Sequence, residues 1–306
     1  MGTPEFAVPP IRALAGAGHE ICAVFTKPDR PRDRGMKLTA SPVKLYALEN
    51  KITVYQPETL KDNAVLPILQ GLSPDIIVVA AYGKLLPPYV LEFPRFGCVN
   101  IHASLLPKYR GAGPIQRAVI NGEEETGVTT MYMAEGMDTG DIIDMLPLKI
   151  GTEETAGELH DRLMAAGAEL IVKTIEKIEN GAAVRTPQNE AEATYAPMLL
   201  KSDARIDWNK SAREIINLVR GTNPWPVAFT ALFGEPLKLF RASAVNEPTA
   251  FLPGTVTACG KDGVHVACGG GESLVIRELQ AAGGKKMSAP EFIKGHPIPD
   301  ETILGE

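Results

Sequence analysis

The sequence predicts an α/β protein in two parts. Residues 1–181 read as a Rossmann-like, open, mostly parallel sheet, residues 203–306 as a small OB-like β-barrel, and residues 182–202 as a polar link between them. Three observations carry this reading. Short apolar runs alternate with helical patterns as far as residue 180, as in successive βαβ units. One run, DIIVVAAYG at 75–83, is apolar without a break, which marks a parallel strand buried on both faces. Beyond 203 the alternation stops, and short β-rich segments recur between turn residues.

Each element has a local reason. PEFAVPPIRALAGAGHE is a helix opened by prolines and closed by glycines, and EICAVFT is a strand. KPDRPRDRGMKLTAS, residues 27–41, holds two prolines, a glycine and many charges without any period, so a long exposed loop is expected. PVKLYALEN carries proline in its first turn and reads as a helix. ITVYQP is a short strand, NAVLPILQGL a helix, GCVNIHAS a strand and AGPIQRAVING a helix. GVTTMYM and IIDMLPLKI close the sheet, and TAGELHDRLMAAGAELIVKTIEKIENG is the longest helical pattern. In the second part SAREIINLVRGT is a helix, while FGEPLKLF and CGKDGVHVAC have the form of hairpins. A sheet of this type normally opens with a strand, yet the chain opens at MGTPEF, already the turn before a helix. The first strand is therefore expected to be missing and the sheet to be weakened by exposed strand edges.

Composition narrows the class. With 44% hydrophobic and 22% charged residues, 306 residues suffice for two globular cores. No apolar run approaches the ~20 residues of a membrane span. Cys22, Cys98, Cys259 and Cys268 are scattered and never form CxxC, which argues against a disulfide framework or a zinc site and suits a reducing cytoplasm. The formal charge of −6 gives no global attraction for nucleic acid. Between residues 27 and 44, however, Lys27, Arg30, Arg32, Arg34, Lys37 and Lys44 face only Asp29 and Asp33, a basic loop able to steer a polyanion locally.

The chemistry centres on VNIHASLLPKYRGAGPIQ, residues 99–116. Residues two apart on a strand share a face, so Asn100 and His102 project together from the strand end, where open α/β sheets bind ligands. An amide donates without titrating, and an imidazole can donate and also move a proton near neutral pH. The pair suits attack on a carbonyl through a tetrahedral oxyanion. In isolation the same spacing is more often that of an Asn and a His satisfied within a loop, and Asp138 in GMDTGD more often a turn aspartate.

The wider context decides between these readings. NIHASLLPKYRGAGPIQRAVINGEEETGVTTMYMAEGMDTGDII resembles the catalytic stretch of the formyltransferase family that uses 10-formyltetrahydrofolate. MGTPEFAV, FTKPDRPRDRG, SPVK, VVAAYGKLLP and NPWP extend the resemblance over essentially the whole chain, to the members that act on initiator methionyl-tRNA. The resemblance implies that Asn100, His102 and Asp138 are catalytic, with Asp138 holding His102 charged or relaying the proton of the attacking amine. It implies a folate-contacting loop at Ser104, Leu105, Leu106 and Pro107, with Gly83, Lys84, Leu85 and Leu86 beside the pterin. It also implies tRNA contacts at Arg34 first, then Arg30, Arg32 and Lys37, and at Lys285 and Lys286 of the second domain. Folate and tRNA are the implied partners, with no metal, membrane or protein partner. Members carry a strand just before GTPEFA, whose last position Met1 takes here. The alternatives are a formyltransferase for a small amine and a catalytically idle tRNA- or folate-binding module.

Overall fold

The computed structural model describes residues 1–32, 37–245 and 247–305, which fall into two compact units. The first comprises residues 1–114, 125–149 and 160–197; the second comprises residues 115–124, 150–159 and the chain from 198 onward.

In the first unit, helix α1 (Val8–Gly16) begins with two prolines and precedes β1 (Val24–Phe25). The segment expected to be an irregular loop contains a small hairpin instead: β2 (Arg30–Arg32) pairs antiparallel with β3 (Lys37–Thr39). Arg and Thr alternating with Pro and Leu can follow a two-residue strand period even in a charged sequence, which a search for apolar runs overlooks. Helix α2 (Pro42–Glu49) starts at Ser41, whose hydroxyl accepts from the Lys44 amide, and leads to β4 (Val54–Tyr55), parallel to β1. Helix α3 (Leu66–Leu72), β5 (Ile77–Val79), helix α4 (Pro88–Leu91) and β6 (Cys98–His102) follow, with β5 and β6 parallel.

Helix α5 (Pro114–Ile120) precedes β7 (Glu125–Tyr132) and β8 (Ile142–Lys149), which extend the sheet antiparallel to give the order β5-β6-β7-β8. In this order β6 and β7 are the inner strands, and β8 is the outer strand on the antiparallel side.

The head of the chain joins the two strand sets. The Met1 ammonium donates to Val78 O at 2.6 Å, and the Gly2 amide to Phe25 O at 2.9 Å, so these residues lie between β1 and β5. Burial lowers the pKa of that ammonium to about 6. A cavity of about 560 Å³ beside them is lined by core side chains such as Leu14, Phe25, Leu69 and Ile175, and by none of Asn100, His102 and Asp138.

Helix α6 (Ala156–Glu179) braces the site strand. Gly167 makes this possible, because a Cβ there would stand 3.0 Å from Ile101 Cγ2, and the Thr174 hydroxyl meets that of Thr130 on β7 at 2.8 Å.

The second unit is built on α7 (Ala212–Gly221), β9 (Ala228–Leu232), β10 (Glu235–Val245), β11 (Val256–Gly260), β12 (Gly263–Ala267), β13 (Ser273–Ala281), β14 (Met287–Ser288) and α8 (Ala289–Gly295). Ser211 and Glu214 cap α7 reciprocally. All strand pairs are antiparallel, in the order β11-β12-β13-β10-β9 with β14 on β13. The two edges are closed by the last residues: Val256 and residues 301–302 exchange hydrogen bonds, and Gly305 N donates to Ala231 O at 2.9 Å. Leu237, Leu239, Val264, Ile276, Ile215 and Phe292 fill the interior. The alternating pattern of β9 and the buried stripe of α7 are thereby explained.

Candidate active site

The site forms where β6 ends. Asn100 pairs with Val79 on one side and Met131 on the other, so its backbone is held by both neighbours. His102 lies opposite Thr129. Both side chains are buried, and strand periodicity places them on one face.

Asp138 reaches them from the turn before β8. Its Oδ1 is 3.5 Å from Asn100 Nδ2, and its Oδ2 is 3.6 Å from His102 Nδ1. The same Oδ2 accepts the Gly111 amide at 2.8 Å. Gly111 can come this close because of its backbone: its φ is +115°, and a Cβ would stand 2.9 Å from Ala196 O. On the far side of the imidazole, Nε2 lies 2.9 Å from Tyr109 O. A carbonyl oxygen only accepts, so Nε2 donates there, while Nδ1 is the ring nitrogen that faces the Asp138 carboxylate.

The turn after β6 is pinned by hydroxyls. Ser104 Oγ donates to Lys108 O at 2.6 Å, and Thr129 Oγ1 donates to Ser104 O at 2.7 Å while accepting from the Leu106 amide at 3.2 Å. Leu106 is buried with Met131 and Ile142, and Leu105 and Pro107 are half-buried. Of the residues at 83–86, Leu85 is largely exposed, Leu86 is core, and Lys84 Nζ is spent on Pro57 O and Glu58 O at 2.7 and 2.8 Å. Lys27, beside Gly83, has no partner for its ammonium among the described residues; burial, with Arg30 and Lys84 nearby, holds it below the usual lysine range.

The basic residues are dispersed. Arg30 is exposed on β2, opposite Thr39. The backbones of Arg32 and Lys37 face each other across the hairpin, while their side chains and all of Arg34 lie outside the described residues. In the second unit Lys285 is exposed, whereas Lys286 pairs with Glu278 at 2.7 Å and lies over the Phe240 ring. Among the described residues no group of three or more His, Cys, Asp or Glu side chains is arranged to hold a metal ion, and no helix is long and apolar enough to cross a membrane.

Comparison with known proteins identifies the family. A profile described as formyl transferase matches residues 1–175, and one described as formyl transferase, C-terminal domain, matches residues 198–297. The chain belongs to the formyl transferase family. It is 51% identical to the methionyl-tRNA formyltransferase of Alkaliphilus oremlandii, with 100% of this chain and 98% of that protein covered. It is 47% identical to that of Clostridioides difficile, with the same coverage of both. Among solved structures, the sugar 3N-formyl transferase WlaRD shares the fold at a TM-score of 0.67 and 22% identity, over 90% of this chain and 94% of that one. An N-formyltransferase of Helicobacter canadensis does so at 0.66 and 21%, over 90% and 96%.

Several residues that shape the site carry no motif of their own. Tyr109 and Gly111 act through a main-chain carbonyl and a main-chain amide, so neither side chain announces the bond it makes. Arg110 and Gln188 lie in KYRGAGP and in the polar stretch after α6, and they meet only through the fold. That Arg110 is buried shows only in the fold; the sequence has merely an arginine beside a glycine-rich turn.

Proposed function

We propose that this chain transfers the formyl group of 10-formyltetrahydrofolate to the α-amine of methionine on initiator methionyl-tRNA, in the cytoplasm, in support of translation initiation. The observation that carries the reading is the convergence of Asn100, His102 and Asp138 at a sheet's strand end, in a chain alike over its whole length to methionyl-tRNA formyltransferases.

The donor set fits a carbonyl substrate. The folate supplies an activated formyl carbon when bound; the turn Ser104–Pro107 would hold it, with Leu105 presenting an apolar edge. Asn100 contributes an amide N–H whose present contact, at 3.5 Å, is long enough to yield to a substrate oxygen. His102 would contribute a ring N–H to the same oxyanion once the substrate oxygen takes the place of one of its present partners, the Tyr109 carbonyl or the Asp138 carboxylate; donors of this kind are worth about 3 kcal/mol at the barrier. Asp138 faces His102 and is placed to take the proton released as the amine nitrogen bonds to the formyl carbon; the oxyanion would then collapse, the bond from that carbon to the folate nitrogen would break, and the departing nitrogen would carry the proton away, leaving tetrahydrofolate and formylated methionyl-tRNA. The acceptor end of the tRNA would be met by Arg30, Arg32, Arg34 and Lys37 in the first unit, and the acceptor arm by Lys285 and Lys286 in the second, largely through phosphates.

The test is transfer of radiolabelled formyl from the folate to methionyl-tRNA, with free methionine and a small amino sugar as parallel acceptors. The reading expects label on methionyl-tRNA alone. Preferential labelling of a small amine, or no transfer to any acceptor, would overturn it.

A further inference from the structure

The stretch after α6 reads in the sequence as a polar link, but the first unit uses it as a strap. Thr186 exchanges backbone hydrogen bonds with Ile142, and residues 194–196 run beside Arg110: Arg110 N donates to Thr194 O at 2.9 Å and Ala196 N to Arg110 O at 2.7 Å. Gln188 lies between these two attachments. Its Nε2 donates to Asp138 O at 2.8 Å and to Gly140 O at 2.7 Å, the two ends of the Asp138 turn. Its Oε1 accepts from Arg110 Nε at 3.0 Å and Nη2 at 2.8 Å. Arg110 is wholly buried, and its remaining reach goes to both oxygens of the Glu190 carboxylate, at 2.9 and 2.8 Å. Those bonds raise the Arg110 pKa and hold the Glu190 carboxyl below the usual carboxylate range.

We propose that Gln188, oriented by Arg110, is a positioning residue that sets the Asp138 carboxylate against His102. Asp138 has φ +53°, a left-handed backbone that a non-glycine residue holds only where its surroundings impose it. Two bonds impose it here. Gln188 fixes the main chain of the turn, and the Gly111 amide fixes the side chain. Only a carboxamide at 188 satisfies both sides, since carbonyl oxygens need donors and the guanidinium needs an acceptor. Leucine or methionine would remove the donor to both carbonyls and the acceptor at Arg110 Nε, leaving Arg110 its bonds to Glu190, and glutamate would turn an acceptor on two carbonyls. Gln188 makes no bond to Asn100 or His102, so its effect has to pass through Asp138.

This inference rests on the formyl transfer reading for its rates but not for its second readout. Full-length wild type, Gln188→Met and Gln188→Glu are compared, each also in an Asp138→Asn background, by formyl transfer to methionyl-tRNA and by NMR of labelled histidine. Because sub-ångström misplacement of a catalytic group is costly, Gln188→Met should lower kcat about ten-fold or more, with KM for both substrates unchanged, and Gln188→Glu should lower it at least as far. In the Asp138→Asn background the further loss should be less than about two-fold. The His102 ring signal should move in Gln188→Met and stay in place once Asp138 is Asn. Equal losses in both backgrounds, a change confined to KM, or an unmoved His102 signal in folded protein would overturn the proposal. A wild type inactive on methionyl-tRNA would instead count against the functional reading, and the NMR comparison would still decide the role of Gln188.

Discussion

Asn100 and His102 end a strand bonded on both sides, buried, braced by α6 from below and faced by a carboxylate that is itself bonded to backbone. Arg30 stands exposed on a two-strand hairpin whose only ladder is its own. The first region spends hydrogen bonds to fix three polar groups before any substrate arrives. The second offers the charge of the exposed Arg30 side chain. Stabilising an oxyanion needs donors already in place, because reorganisation at the moment of reaction would cost what the bonds supply. Holding a phosphate chain needs only charge within a few ångströms, and flexibility there costs little.

The contrast can be broken at either end. The largest effect is expected from Asp138→Asn, which keeps the shape and the bond from the Gly111 amide but removes the charge facing His102. If the charge matters, single-turnover formyl transfer should fall by about 100-fold while the thermal melt stays in place. A loss of melting temperature with only a modest loss of rate would make Asp138 a structural turn residue. A much smaller effect is expected from Arg30→Ala, an exposed residue with no carboxylate partner among the described residues. It should weaken tRNA affinity a few-fold at moderate salt and reduce the log–log salt slope by about one, leaving folate binding unchanged. Unchanged salt dependence would remove the hairpin from the RNA surface.

Much of the site was legible because strand periodicity is a local rule. Asn100 and His102 are two residues apart, so any strand there places them together. Asp138 was identified through its motif, and the structure brings it to both. The architecture was legible too, from the unbroken apolar run at β5 and the loss of helical alternation beyond residue 203. What escaped has physical reasons. The β2–β3 hairpin is three residues a side and rich in charge, too short for its alternation to announce a strand. Met1 and Gly2 knit β1 to β5 through backbone atoms, and residues 301–305 close the second sheet in the same way, so neither leaves a side-chain signature. Gln188 sits 50 residues from Asp138, in a stretch whose composition is that of a loop, and its role exists only once the chain has folded around Arg110.

The central claim is that rate comes from the buried strand end and affinity from elsewhere. It is tested most directly by single-turnover formyl transfer with His102→Ala and Asn100→Ala, measured beside folate and methionyl-tRNA affinity on the same preparations. Each variant should lose about two orders of magnitude or more in rate with both affinities close to wild type. Near-wild-type turnover in either variant, or a rate loss matched by an equal loss of substrate binding, would contradict it.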